Sequence, residues 1–226
     1  MKTALAMHKS DNLQPDQRTA YILAGGKSSR FGSSKALVFI DDQRQIQRLA
    51  NQLATDAWQT VAISQTAKEF DSLGIRTIAD IEPDQGPLAG ILAGMLDLHA
   101  NDRVASAWAI FVTCDLWMWN PSWTNLLVPH SVDRESQLGM LHYFQSNVHA
   151  EGFLPFPCSI HIDALPKIQN AWKSGCRSMR ELIATLAHLA ITHPIREDLL
   201  PLSFNTPEDL TRLQCRVARD ASHTPQ

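Results

Sequence analysis

Between Leu23 and Leu37 the chain reads LAGGKSSRFGSSKAL, a run made of the residue types that grip phosphate. From Leu23 through Ile40 it holds three cations, Lys27, Arg30 and Lys35, and no acid, although the 226-residue chain has a net charge of -3. The pair Gly25-Gly26 follows the apolar stretch Thr19-Ala20-Tyr21-Ile22, which reads as a short buried strand. A glycine turn at a strand end presents backbone N–H groups, and flanking cations make such a turn an anion site. Glycine and serine pairs are also ordinary loop residues, so composition leaves a phosphate site and a plain basic loop both open. The run contains no G-x-G-x-x-G. The spacing G-x-x-x-x-G-K-[ST] fails too, because Phe31 stands five residues after Gly26 and Ser33 follows Gly32.

Two aspartates extend the pattern. Asp80 follows the stretch Ile75 to Ile78, and Asp115 follows the buried-looking Ala107 to Val112 and Cys114. Ligands of open α/β sheets sit outside the carboxyl ends of the strands, so the glycine loop, Asp80 and Asp115 are expected along one edge. A lone aspartate after a strand is more simply a helix cap or turn former; three such positions converging favour a site. Mg²⁺ is held by one or two carboxylates with phosphate oxygens and waters, which makes Asp115 the best candidate for a metal ligand beside a phosphate site. Lys35 and Arg30 are suited to holding phosphates and stabilising charge that develops on them.

Positioning these residues falls to alternating elements. Ile46, Leu49, Ala50, Leu53 and Ala54 recur at helical spacing, while Val61 to Ile63 reads as a strand. Pro87 to His99 reads as a helix with proline first, where its missing N–H costs little. Such alternation predicts an α/β fold with a largely parallel sheet. In the second half, Leu138 to Tyr143 and Cys158 to Ile162 read as strands, and Ala164 to Trp172 and Ser178 to His188 as helices. Ser178 with Glu181 forms a capping box, and Thr206-Pro207-Glu208-Asp209 starts a further helix. Gly90 and Gly94, one helical turn apart, cost about 1 kcal/mol each relative to alanine; packing on the sheet is the plainer reason for them, ligand approach the other. Residues 1–18 are expected to be a flexible extension and 19–226 a single domain.

With 44% hydrophobic and 19% charged residues, the composition is that of a soluble globule. The near-neutral charge argues against a non-specific nucleic-acid binder. The longest largely apolar run, Val104 to Val112, falls well short of the roughly 20 residues needed to span a bilayer. The first apolar stretch stops at His8-Lys9 without the form of a secretory signal, so a cytoplasmic protein is expected. Four scattered cysteines and nine dispersed histidines give no zinc spacing and no reason to propose disulfides.

In order along the chain stand L-A-G-G-x-S-x-R-F-G-x-x-K-x-L, Ile78-Ala79-Asp80, Gly86-Pro87-Leu88-Ala89-Gly90, Cys114-Asp115 and Asn205-Thr206-Pro207-Glu208-Asp209-Leu210. Together they resemble the nucleotidyltransferases of the nucleotide-diphospho-sugar transferase fold, and within these the molybdenum cofactor guanylyltransferases, over roughly Thr19 to Leu213. The resemblance implies a three-layer α/β/α, Rossmann-like domain with a mostly parallel sheet. It implies an enzyme that transfers GMP from GTP to the terminal phosphate of molybdopterin, releasing pyrophosphate, with Mg²⁺ as cofactor. It places Leu23, Ala24, Gly25, Lys35, Asp80 and Asp115 at nucleotide-binding positions, with Asp115 also the metal ligand; Gly26 joins them as part of the glycine turn, and by their charge Lys35, Arg30 and Asp115 are the expected catalytic residues. A phosphate monoester has its second pKa near ~6, so the acceptor is already ionised and needs no histidine base. GTP and molybdopterin are the implied substrates, and molybdoenzymes or other cofactor-biosynthesis proteins the implied partners, with no nucleic acid and no membrane.

Two alternatives stay open: a same-fold transferase using another nucleotide or acceptor, such as CTP with molybdopterin, and a catalytically weak module that holds nucleotide or molybdopterin. The chain departs from the family pattern at Ser34 (usually aspartate), Ser64 (usually asparagine) and Ser203 (usually asparagine). Trp117 and Trp119 stand where a proline near 117 is usual. These tryptophans either pack in the core or rim, the plainer reading, or stack on a pterin or guanine. Asn205 either reaches the metal or substrate or serves as a loop amide before a helix cap.

Overall fold

Strand β1 (Arg18–Leu23) lies near the middle of a seven-stranded sheet, flanked by β4 (Trp58–Ser64) and β6 (Trp108–Thr113), with β5 (Arg76–Ala79) outside β4. All four run parallel, with Leu23 level with Ile63 and with Thr113, and Ser64 level with Ala79. Their carboxyl ends therefore form one edge. Beyond β6 lie β8 (Phe153–His161), β7 (Leu141–Gln145) and β9 (Ala190–Pro194), in the order β5-β4-β1-β6-β8-β7-β9. β8 is antiparallel to both neighbours, while β7 and β9 are parallel to each other. A separate two-stranded hairpin pairs β2 (Phe39–Ile40) with β3 (Gln43–Arg44). This computed structural model describes residues 18–25, 31, 34–100, 108–129, 139–146 and 152–222, with side chains as far as 216. Of the expected extension 1–18, only Arg18 falls among them, as the first residue of β1.

The helices are α1 (Gln45–Thr55), α2 (Pro87–Ala100), α3 (Ser122–Leu127), α4 (Leu165–Lys173), α5 (Met179–Thr185) and α6 (Pro207–Ser222). Period-two alternation sorts the strand residues between two apolar layers. Tyr21, Ile63 and Phe111 face α2, α4 and α5, whereas Ala20, Ile22, Ile110 and Val112 face α1 and α3. This is the three-layer α/β/α arrangement with a mostly parallel sheet. α2 is buried on most of its circumference, from Leu88 to Leu98, because it lies between the sheet and α4–α5.

The two α2 glycines serve packing. A Cβ on Gly94 would stand 2.8 Å from Phe111 Cε1 and 3.1 Å from Ile63 Cδ1, and one on Gly90 2.8 Å from Leu23 Cδ2. Gly86, at φ +85°, sits where a side chain would meet Arg177 O at 2.7 Å, and Leu88 N–H donates to that same carbonyl. The start of α2 is thus clasped to the start of α5, whose Ser178–Glu181 capping box is fully formed.

Several elements differ from the sequence expectation. The helix opening at Ser178 ends at Thr185 rather than near His188, and Ile162 begins a 3-10 turn instead of closing β8. The hairpin β2–β3, the six-residue α3 and the edge strand β9 have no periodic signature in so few residues. Leu138, expected at the start of β7, lies outside the described residues.

Candidate nucleotide site at the carboxyl edge of the sheet

Each expected site residue that is described stands at this edge. Ala24 N–H continues the ladder to Ile63 O at 2.8 Å, Cys114 N–H donates to Leu23 O at 3.0 Å, and Asp80 N–H donates to Ser64 O at 2.7 Å. These bonds carry the strand register one residue past the strand ends and set Ala24, Asp80 and Cys114 along the same edge. Gly26, Lys27 and Arg30 lie outside the described residues.

The edge has two polar foci. At the first, Gly25 leaves a space whose floor is Asp80: a Cβ there would lie 3.7 Å from Asp80 Oδ2 and 3.8 Å from Gln65 N. Asp80 Oδ1 is buried and makes no hydrogen bond among the described residues. Burial raises the Asp80 pKa; the Ile81 and Glu82 amides pull it down, and nearby Asp84 adds to the rise. A buried carboxylate oxygen without a donor costs free energy unless a ligand supplies one.

At the second focus, Lys35 Nζ donates to Asp115 Oδ2 at 3.1 Å and to Asn205 Oδ1 at 2.9 Å. Lys35 comes from a 3-10 turn, Asp115 from just beyond β6, and Asn205 from the residues before α6. Leu116 bridges antiparallel to Ser203, Trp117 N–H donates to Leu202 O, and Phe204 N–H to Asp115 O. This short backbone ladder sets Asn205 beside Asp115. Asp209 Oδ2 accepts from the N–H groups of Asn205 and Thr206 at 3.0 Å each, and Thr206 Oγ1 accepts from Asp209 N–H at 3.1 Å. Asn205 is therefore both part of a helix start and a partner of the lysine.

A carboxylate and an amide oxygen are hard donors of the kind Mg²⁺ prefers, and here they already converge on one cation, the lysine ammonium. The donor set fits a divalent ion held partly by protein and partly by ligand. Among the described residues no group of three or more His, Cys, Asp or Glu converges as a metal cluster. Burial, then the Asp115 charge, pushes the Cys114 thiol up to about 12, which keeps it protonated near neutral pH.

The tryptophans near Asp115 pack rather than present faces to a ligand. Trp117 and Trp119 are each only 4% exposed. Trp119 Nε1 donates to Asp56 Oδ2 at 3.1 Å, and Trp119 N–H donates to Gln52 Oε1 at 2.9 Å. Ser64 Oγ donates to Glu69 Oε2, and Ser34 makes no side-chain cap bond at the Lys35 turn. Sequence reasoning passed over Gln45 and Arg48, whose side chains reach the carbonyls of Leu116 and Trp117; at the start of a helix they carry no signal beyond being polar.

Fold and site together define a class: an open α/β sheet that presents a glycine, a lysine and two aspartates at its carboxyl edge, as nucleotide-handling enzymes do. The profile of the MobA-like NTP transferase domain matches residues 20–190. A protein of Nostoc sp. named "Probable molybdenum cofactor guanylyltransferase" is 28% identical over 203 residues, 87% of this chain and 90% of its own. Among solved structures, molybdopterin-guanine dinucleotide biosynthesis protein A from Archaeoglobus fulgidus superposes with TM-score 0.68 at 18% identity, over 89% of this chain and 99% of that one. CMP:2-keto-3-deoxy-manno-octonic acid synthetase in complex with CTP gives the same TM-score at 12% identity, over 90% and 99% of the two chains. Likenesses at such identity establish a shared fold. The chain belongs to the MobA-like NTP transferase domain family.

Proposed function

We propose that this protein transfers GMP from GTP to the terminal phosphate of molybdopterin, forming the guanine dinucleotide and pyrophosphate. The observation that carries this reading is the contact of Lys35 Nζ with both Asp115 and Asn205. It gathers one cation and two hard oxygen donors beside the glycine turn, as in-line displacement at a phosphorus requires. Lys35 holds phosphate oxygens and stabilises charge developing on them, and Asp115 and Asn205 would hold Mg²⁺. That ion, when bound, neutralises the triphosphate and orients it. Leu23, Ala24, Gly25 and Gly26 offer backbone groups to the nucleotide, and Arg30 adds a second phosphate contact. The attacking phosphate is already ionised near neutral pH, so no side-chain base is assigned.

Guanine is favoured over other bases by Asp80. Its Oδ2 borders the space at Gly25, and the guanine edge carries two adjacent N–H donors, N1–H and the 2-amino group, that a carboxylate at that space can accept. The names of the relatives point to the same base and acceptor. On this reading residues 19–226 act as one domain in the cytoplasm, passing product to molybdoenzymes or other proteins of the same biosynthesis. No helix among the described residues is long and apolar enough to cross a membrane.

The test is pyrophosphate release from GTP, CTP, ATP and UTP with Mg²⁺ and molybdopterin. Turnover with GTP alone is expected. Turnover with another nucleotide alone reassigns the base, and binding without turnover removes the enzyme.

A further inference from the structure

The Lys35–Asp115 contact joins two segments that a single residue ties together. Gln45 opens α1 and is completely buried. Its backbone N–H donates to Val38 O at 2.8 Å, adding a rung to the β2–β3 hairpin directly after the turn that carries Lys35. Its side-chain Nε2 donates to Leu116 O at 2.6 Å, one residue beyond Asp115. Gln45 Oε1 in turn accepts from Arg48 Nη1 at 3.4 Å, and the same Nη1 donates to Trp117 O. The Arg48 guanidinium also lies over the Trp117 ring, 4.5 Å from its centre.

From the opposite side the backbone of Leu202 to Phe204 grips the same three residues, Asp115 to Trp117. The segment is thus held along both edges, and on the α1 edge only side chains do the holding. Burying an amide gains less than burying an apolar group of the same size, so packing alone does not call for glutamine here.

We infer that Gln45, supported by Arg48, is a positioning residue that fixes Asp115 against Lys35 by binding the backbone of both segments. It touches no reacting group itself. The inference rests on the reading that Lys35 and Asp115 handle the triphosphate, and it predicts where loosening would be felt. Groups that orient a metal-binding carboxylate change metal affinity when removed, by about tenfold or more. A residue that merely stabilises the fold would lower the melting temperature and leave that affinity unchanged.

The first test needs no nucleotide. In a crystal structure of Gln45→Met, Lys35 Nζ and Asp115 Oδ2 should separate beyond the ion-pair range of about 4 Å; a contact kept at 3.1 Å overturns the inference. The second is calorimetric binding of GTP with and without Mg²⁺. In Gln45→Met the gain in affinity due to Mg²⁺ should fall about tenfold while metal-free binding holds; an unchanged gain overturns the inference. Should Gln45→Met not fold, Arg48→Met decides, a smaller loss in the same direction supporting the inference and none refuting it. If the wild-type protein gains nothing from Mg²⁺, the metal assignment of Asp115 fails, and the crystal structure still judges Gln45 separately.

Discussion

Lys35 Nζ lies 3.1 Å from Asp115 Oδ2, a contact between residues 80 apart in sequence that are both mostly shielded from water, with side chains 14% and 20% exposed. Under the proposed function, this pairing holds two opposite charges in place until a ligand divides them, phosphate to the lysine and metal to the aspartate.

Asp115→Asn should therefore lower Mg²⁺-dependent turnover about 10²- to 10³-fold, the range for losing one electrostatic stabiliser of a transition state. Metal-free GTP should bind the same variant more tightly than wild type, because a negative charge facing the phosphates has gone. Steady-state kinetics and calorimetry read the two effects, with circular dichroism confirming the fold. Wild-type turnover in Asp115→Asn would refute the metal assignment.

Asp80 sets a different prediction. Loss of a hydrogen bond to a charged acceptor costs about 2 kcal/mol, so Asp80→Ala should weaken GTP binding by that amount. ITP, which lacks the 2-amino donor, should bind the wild type less well than GTP and lose less on mutation. Because burial raises this carboxyl's pKa, its charged form is lost at a higher pH than for an ordinary carboxylate. GTP affinity should fall as pH drops into the window just above the usual carboxylate range, and Asp80→Asn should not show that fall. An identical pH profile in wild type and Asp80→Asn would contradict the role.

Gly94→Ala and Gly90→Ala should part company. Each gains about 1 kcal/mol of helix propensity, but forcing a methyl group into a packed core costs about 1–3 kcal/mol. At Gly94 the methyl meets the fully buried Phe111 ring at 2.8 Å, with Ile63 behind, and overpacking wins. At Gly90 the nearest atom is the tip of the Leu23 side chain, with Ile63 Cγ2 at 3.6 Å, and the two effects nearly cancel. Urea unfolding should find Gly94→Ala less stable than Gly90→Ala; the reverse order would overturn this account of α2.

A histidine pair gives a pH signature. His142 Nδ1 and His193 Nε2 are 2.9 Å apart with stacked rings, and burial lowers the His193 pKa. A lowered histidine pKa means the unfolded chain binds more protons. Its contribution is then fully present above the unfolded value of about 6.5 and is lost as pH falls below it. Denaturation at pH 7.5 and 5.5 should show wild type losing more stability than His193→Gln over that interval. Equal losses would show that the pair does not titrate with folding.

The strands, the long helices and the edge on which the site lies were legible in the sequence because their causes are local. Apolar runs such as Ala109–Val112 make buried strands, and Ser178 with Glu181 makes a helix start, whatever surrounds them. The glycine turn, Lys35, Asp80 and Asp115 stood out for the same reason: charge and glycine placed directly after apolar stretches. The tryptophans after Asp115 left packing and stacking both open, since only neighbours such as Asp56 and Gln52 decide which face an indole presents.

What the sequence determined by itself was thus the alternation of elements and the residue types available at strand ends. Only the tertiary structure decided that one ammonium meets both Asp115 and Asn205, and that Gln45 anchors the backbone between them. Nor was the direction of β8 readable beforehand. Those outcomes depend on hydrogen bonds between residues far apart in the chain, and such bonds form only once the packed layers have fixed where each backbone carbonyl and N–H will lie.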